Sequence, residues 1–309
     1  EDPGSVWVHA PRGLRKAVEK VLGKNPYRAR TGVFTGGANA VYWLEMLGRT
    51  DGGLVRVRNI TQRARRPAEE VTAELEPERL WPLVRGNDLT FWRAESHMAL
   101  LCPHTEDSGI YPLEEEVLRR QAPEVWRYLQ HFRPELEARR GFAGLERSIQ
   151  ARYFYALLRI GAYTFAPYKV AWRYVAKEFV PAVLSETEDP VLGRRMLMPS
   201  EKVMFVGLRD RDEAFYLCGL LSSAVVRCCV QCYMNPTSIS AHVLSKLYLP
   251  AFEREDARCR EIAALCERGH AAEDGAERRE IRRELDAVCA ALYGLDAEEQ
   301  REIQEFLGE

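Results

Sequence analysis

The chain offers few residues whose type and spacing could do covalent chemistry. A metal-dependent nuclease of the common kind places an acidic residue two positions before a lysine, so that carboxylate and ammonium share one face of a strand. None of Lys16, Lys20, Lys24, Lys169, Lys177, Lys202 and Lys246 has Asp or Glu there. The six histidines (His9, His97, His104, His131, His242, His270) are scattered and show no HExxH spacing. No GxSxG elbow occurs. Cys229 and Cys232 make a single CxxC inside an apolar helical pattern, with no second pair or His pair to complete a zinc set. They read as buried structural cysteines. Asn25-Pro26-Tyr27 and Asn235-Pro236-Thr237 are the nearest approaches to the Asn-Pro-Pro-Tyr turn that holds a base amine, and each lacks the second proline. No catalytic centre is therefore expected in this chain, and no metal.

Binding chemistry is better represented. Residues 160–173 place a Gly and a Pro around an aromatic turn and then a strand. Alternation turns Val170, Trp172 and Tyr174 to one face and Lys169, Ala171 and Arg173 to the other. Two cations beside tyrosines suit a phosphate backbone. A half-buried strand with solvated charges is the plain alternative. Residues 27–39 form a Gly/Thr/Asn loop with Arg28 and Arg30 at its mouth and Gly36, Gly37 and Asn39 within it. Its backbone N–H groups could cradle phosphates, although no Gly-Lys-Ser/Thr closes it as a Walker loop. The turn at 80–89 carries Arg85 and Asp88, which read either as base-contacting groups or as an internal salt bridge. Arg56, Arg58, Arg63, Arg65 and Arg66 crowd one end of the hairpin at 40–60 and read as a solvated loop.

The elements that must position these groups are mixed. The spacing predicts helices over 11–22, 114–140 and 212–232, the last the most apolar. Strands are predicted near 40–48, 54–60 (joined by Asp51-Gly52-Gly53), 69–75, 96–102, 169–174, 179–184, 203–206 and 247–250. Two apolar stripes between 254 and 292 predict a helical hairpin, and a last helix covers 296–307. The expected fold is α+β: a twisted, largely antiparallel sheet flanked by helices and followed by a C-terminal helical hairpin. Residues 1–252 form the expected binding domain and 253–309 a spacer or docking segment. The formal net charge of −2 over 309 residues hides an asymmetry: 253–309 holds 17 acidic and 9 basic residues, net −8, which leaves +6 on the remainder. That weakly favours a polyanionic partner. No apolar run reaches the roughly 20 residues of a membrane helix. The first residues lack an initiator Met and a signal-peptide pattern, so the chain reads as part of a longer, cytoplasmic protein.

Several stretches, taken in order, resemble one family. They are Tyr27-Arg28-Ala29-Arg30-Thr31-Gly32, Thr35-Gly36-Gly37-Ala38-Asn39, Leu54-Val55-Arg56-Val57-Arg58-Asn59 and Leu80-Trp81-Pro82-Leu83-Val84-Arg85-Gly86-Asn87-Asp88. Residues 161–173 and 216–223, His242-Val243-Leu244, Leu249-Pro250 and Leu292-Tyr293-Gly294-Leu295 continue the series. The set resembles the C-terminal target-recognition region of bacterial type II, IIG-like, adenine-specific (N-6) DNA methyltransferases of restriction–modification systems. The pattern at 217–250 is also similar to type I specificity subunits. The resemblance implies a methyltransferase domain, N-terminal in the same polypeptide, that binds S-adenosylmethionine. No cofactor is implied for this fragment. Its implied partner is duplex DNA, read in sequence while a flipped adenine is presented for methylation. Phosphate grip is then assigned to Arg28, Arg30, Lys169 and Arg173 with the N–H groups near Gly36 and Gly37, and base reading to Asn39, Arg85, Asp88 and Thr237. A helical interaction module without DNA contact and an RNA-modification accessory domain stay open as alternatives.

Overall fold

The computed structural model describes residues 13–62, 66–140, 142–233 and 238–308. The fold is mixed α+β, with twelve helices among the described residues and open, mostly antiparallel sheets flanked by them. A six-stranded sheet has the spatial order Met198–Pro199, Leu80–Val84, Ala99–Leu101, Trp43–Arg49, Val55–Asn59, Thr72–Leu75. A four-stranded sheet runs Arg30–Thr31, Val203–Leu208, Tyr168–Arg173, Ala182–Leu184. Among the described strands, the only parallel pair is Met198–Pro199 on Leu80–Val84. Immediately afterwards the chain enters the other sheet at Val203, so this crossing ties the two sheets together.

Proline and serine decide where the helices break. The helical pattern at 114–140 resolves into Glu115–Gln121, Pro123–His131 and Arg133–Glu137. Pro123 and Pro134 sit at helix starts, where their missing N–H costs nothing, and neither could sit inside a continuous helix. The apolar helix expected at 212–232 is two helices, Arg211–Ser222 and Ala224–Tyr233, bent by 61° at Ser223. Ser222 and Ser223 each donate their hydroxyl to a carbonyl of the preceding turn, Cys218 O and Leu220 O, both at 2.7 Å. Ser223 then takes an extended backbone. The strand expected at 40–48 begins as a short helix, Asn39–Tyr42. That expected at 247–250 is reduced to a single bridge from Leu247 to Leu22.

The largest core packs Val170 and Trp172 of the central strand against the helices. It is continuous across residue 252, since Ile262, Cys266, Leu285 and Ile303 belong to it as much as Leu217 and Val226. A second core lies between the six-stranded sheet and the helices at 115–137. A third, small core joins the two sheets, with Val84 and Leu89 from one side and Ala171, Leu184 and Phe205 from the other.

Candidate nucleic-acid interface

The central strand is covered on both faces. Val170 and Trp172 enter the helical core as expected, and Trp172 donates its indole N–H to Ile239 O at 3.2 Å. The opposite face, expected to be cationic and open, lies against the small inter-sheet core. Lys169 is 0 % exposed, and its ammonium donates to Ala166 O at 2.8 Å in the turn that covers it. It cannot reach a phosphate from there. The burial, with no compensating carboxylate, pushes the Lys169 amine down to about 7. Its sign is the reverse of a paired lysine. Unfolded chains keep this proton up to about 10.5 while the folded chain has lost it, so stability rises with pH between about 7 and 10.5. Lys169→Met removes the buried charge and one hydrogen bond. It is expected to stabilise the fold by about 1 kcal/mol at pH 6 and to flatten that rise, as read from urea midpoints across the pH range. A steep rise retained in the variant would contradict the assignment.

Arg173 is also a structural group. Its Nε donates to Leu89 O at 2.6 Å and its Nη2 to the same carbonyl, which pins the turn at 85–89 to the strand end. In that turn Arg85 and Asp88 close on each other. Nε and Nη2 of Arg85 donate to the Asp88 carboxylate at 2.9 and 2.8 Å, and the Arg85 backbone N–H adds a third bond at 2.9 Å. The Asp88 side chain is only 4 % exposed, so of the two expected readings the internal salt bridge is the one formed. Thr237 lies outside the described residues.

The segment from Arg28 to Asn39 is where exposed cations and aromatic rings meet. Arg28 is exposed. Arg30 lies at the edge of the four-stranded sheet with its guanidinium 4.6 Å from the centre of the Tyr163 ring. Burial raises the Tyr163 hydroxyl, and Arg30 and then Arg28 pull it back, which places both cations around that ring. Four residues on from Arg30, Phe34 carries Arg159 at 4.7 Å. No carboxylate among the described residues pairs with Arg28 or Arg30, whereas Arg56 and Arg58 on the neighbouring hairpin are held by Glu74 and Glu45.

The glycine loop follows. Gly36 and Gly37 take φ of +69° and +85°, and a Cβ on Gly36 would meet Phe142 at 2.5 Å. Gly36 is therefore a buried backbone corner, which removes it as a phosphate contact, while Gly37 is half-buried beside Arg66. Asn39 has its side-chain oxygen engaged by the Thr35 hydroxyl. Beneath the loop lies Arg139, 1 % exposed, which donates to Leu136 O (3.0 Å), Thr35 O (2.9 Å), Ala156 O (2.8 Å) and Phe154 O (2.5 Å). Burial lowers its affinity for the proton, yet guanidinium stays charged at neutral pH.

Three groups here escaped sequence reasoning. Arg139 looked like the charged end of a helix. Arg66 belonged to a run read as solvated loop. Arg159 adjoined the aromatic turn, and that adjacency was its one available signal.

Cys218, Cys266 and His270 bring their ligand atoms within 4.8 Å of one another. The hydrogen bonds around the imidazole argue against a metal there. His270 Nε2 accepts the Val183 N–H at 3.0 Å, so the proton sits on Nδ1 and is donated to Cys266 O at 2.7 Å. A metal on Nδ1 would move that proton to Nε2, where it would face another donor. All eight cysteines are buried and free, in keeping with a packing role.

No protein-family model matches the chain, and no curated protein does. Among solved structures, the type IIL restriction–modification enzyme MmeI, determined in complex with DNA, superposes with a TM-score of 0.54 at 9 % identity. The match covers 92 % of this chain and 37 % of that one. The type IIG restriction endonuclease BpuSI is matched over 73 % of this chain and 27 % of its own, at 12 % identity and a TM-score of 0.34, too low to argue from. The chain thus shares the fold of one portion of a restriction–modification enzyme and spans about 37 % of that enzyme's length.

Proposed function

We propose that the chain is the DNA target-recognition part of an adenine-specific methyltransferase in a restriction–modification system. In this reading a methyltransferase domain elsewhere in the polypeptide holds S-adenosylmethionine and performs the transfer. The observation that carries the proposal is the fold shared with MmeI over 92 % of the chain. The arrangement at 28–39 supports it, because Arg30, which no carboxylate among the described residues pairs with, lies over the Tyr163 ring at a sheet edge with Arg28 beside it, an arrangement suited to phosphodiesters. Arg28, Arg30, Arg66 and Gly37 form the phosphate-gripping surface. Lys169 and Arg173 instead build the platform beneath it.

Binding to a labelled random duplex, followed by anisotropy over a salt series, tests this. Each phosphate contact contributes about 0.9 to the slope of log K against log salt. Arg28→Ala/Arg30→Ala is expected to reduce that slope by about 2 and the affinity roughly tenfold, with an unchanged melting midpoint. Undetectable binding of the unaltered chain at both low and moderate salt would remove the DNA reading. The adenine-specific part needs the full-length gene: expression in a host lacking methylation, followed by mapping of N-6 methyladenine, should return one recurring sequence context.

A further inference from the structure

The long helix Gly275–Tyr293 belongs to the acidic end of the chain, yet one of its faces is basic. Arg279, Arg282 and Arg283 stand at i, i+3 and i+4, so they share that face. With Gln304 of the last helix, Ala297–Leu307, they line a groove of about 400 Å³. We infer that this groove is a binding site for a phosphate ester, with the three guanidinium groups as its anion ligands. Three planar donor forks converging on one groove match a tetrahedral anion with several acceptor oxygens better than they match a single carboxylate.

Asp286 lies at the inner end of the groove, and its Oδ1 is committed to the Ala224 N–H at 2.6 Å. Burial raises the Asp286 carboxyl, with the Ala224 N–H and then Arg282 and Arg227 opposing. At the rim, Glu280 pairs with Arg283 at 3.0 Å, but both side chains are mostly exposed and the pair is screened by water. Asp274 faces Arg279 and is committed to capping the helix through the Ala276 and Glu277 N–H groups.

Behind the groove, Phe91 is flanked by two guanidinium groups, Arg282 at 5.0 Å and Arg227 at 5.5 Å from the ring centre. Glu178 is the further carboxylate near this pair. Burial first, and then repulsion from Arg227, brings Arg282 down to about 10. Next to the groove a smaller cavity of about 110 Å³, walled by Ala287, Ala290 and Ile303, gives the organic part of an ester somewhere to lie.

Two sources could supply the phosphate, a nucleic-acid backbone or a free nucleotide, and the inference does not depend on the proposal of duplex recognition at residues 28–39. The test compares the unaltered chain with Arg279→Gln/Arg283→Gln, both exposed positions on a helix that tolerates glutamine. Adenosine 5′-monophosphate is titrated by calorimetry, and a labelled random duplex by anisotropy, at matched ionic strength. The variant is expected to bind at least one probe roughly tenfold more weakly. Loss confined to the duplex identifies the backbone as the source, and loss confined to the nucleotide identifies a free ligand. Equal binding of both probes by variant and unaltered chain overturns the inference, as does binding of neither by the unaltered chain. Arg28→Ala/Arg30→Ala serves as the separate control, since a duplex defect there alone leaves the groove without a role in duplex binding.

Discussion

Replacing Arg139 by alanine is expected to destabilise the fold by about 4 kcal/mol and to abolish duplex binding with it. Arg139 has no carboxylate partner described. It holds instead the carbonyls of Thr35, Leu136, Phe154 and Ala156, which come from three separate stretches of chain. Leu136 O keeps the Gln150 amide at 3.3 Å and Thr35 O keeps the Ala38 N–H at 3.4 Å, so the loss falls on the buried carbonyls of Phe154 and Ala156, each worth about 1–3 kcal/mol when unsatisfied. Partial water entry and the release of a desolvated charge offset some of that sum. Arg139→Lys keeps the charge, but a single ammonium cannot span four diverging carbonyls, so it should recover less than half of the loss. Urea midpoints give the answer. A cost below about 1 kcal/mol for Arg139→Ala would mean that the carbonyls find other partners and the loop does not depend on this residue. The consequence for binding runs through Thr35, whose carbonyl Arg139 holds directly ahead of Gly36 and Gly37.

The same residue illustrates what the sequence conceals. Period and punctuation made most elements legible, because apolar stripes, prolines and glycines act locally: helical structure at 115–137 and 211–233 and the C-terminal hairpin follow from them, while the breaks at Pro123, Pro134 and Ser223 were not expected. The role of each charge was not legible in the same way. Lys169 and Arg173 alternate as solvent-facing residues should, and only the arrival of a second sheet, through Leu89 and Val84, buries that face. Ala171 between them was the available hint, since a small residue permits close approach of another layer. Arg85 and Asp88 were readable as a pair because they are three residues apart and need no distant partner. Arg30 needed Tyr163, more than a hundred residues away, and Arg139 needed Thr35. Local chemistry could be read. Long-range satisfaction of buried charge could not, since it depends on which backbone carbonyls the tertiary fold leaves unpaired.

The second large effect concerns the joint between the sheets and the C-terminal helices. Trp92 is 1 % exposed, has a left-handed φ of 60°, and donates its indole N–H to Ser222 Oγ at 2.7 Å. Its ring occupies the notch left by Gly269 on the helix Ala257–Ala271, where a Cβ would overlap the six-membered ring. The indole is fixed by its hydrogen bond and by stacking on His270 at 5.8 Å, so it cannot step aside. Gly269→Ala is therefore expected to cost about 2 kcal/mol, overpacking outweighing the roughly 1 kcal/mol gained in helix propensity. Trp92→Ala alone should cost about 4 kcal/mol through the cavity it leaves. In the double variant the clash is gone and the alanine contributes only its propensity, so the second methyl should stabilise by about 1 kcal/mol. The two substitutions then couple by about 3 kcal/mol in a double-mutant cycle. Additive effects would show that the two residues do not touch. Trp92 also belongs to the hairpin that carries Leu89, the carbonyl held by Arg173, and Phe91, the ring between Arg227 and Arg282. Loosening this one contact should therefore disturb the turn at Arg85 and the arginine groove together, and either disturbance alone would show that the hairpin does not move as a unit.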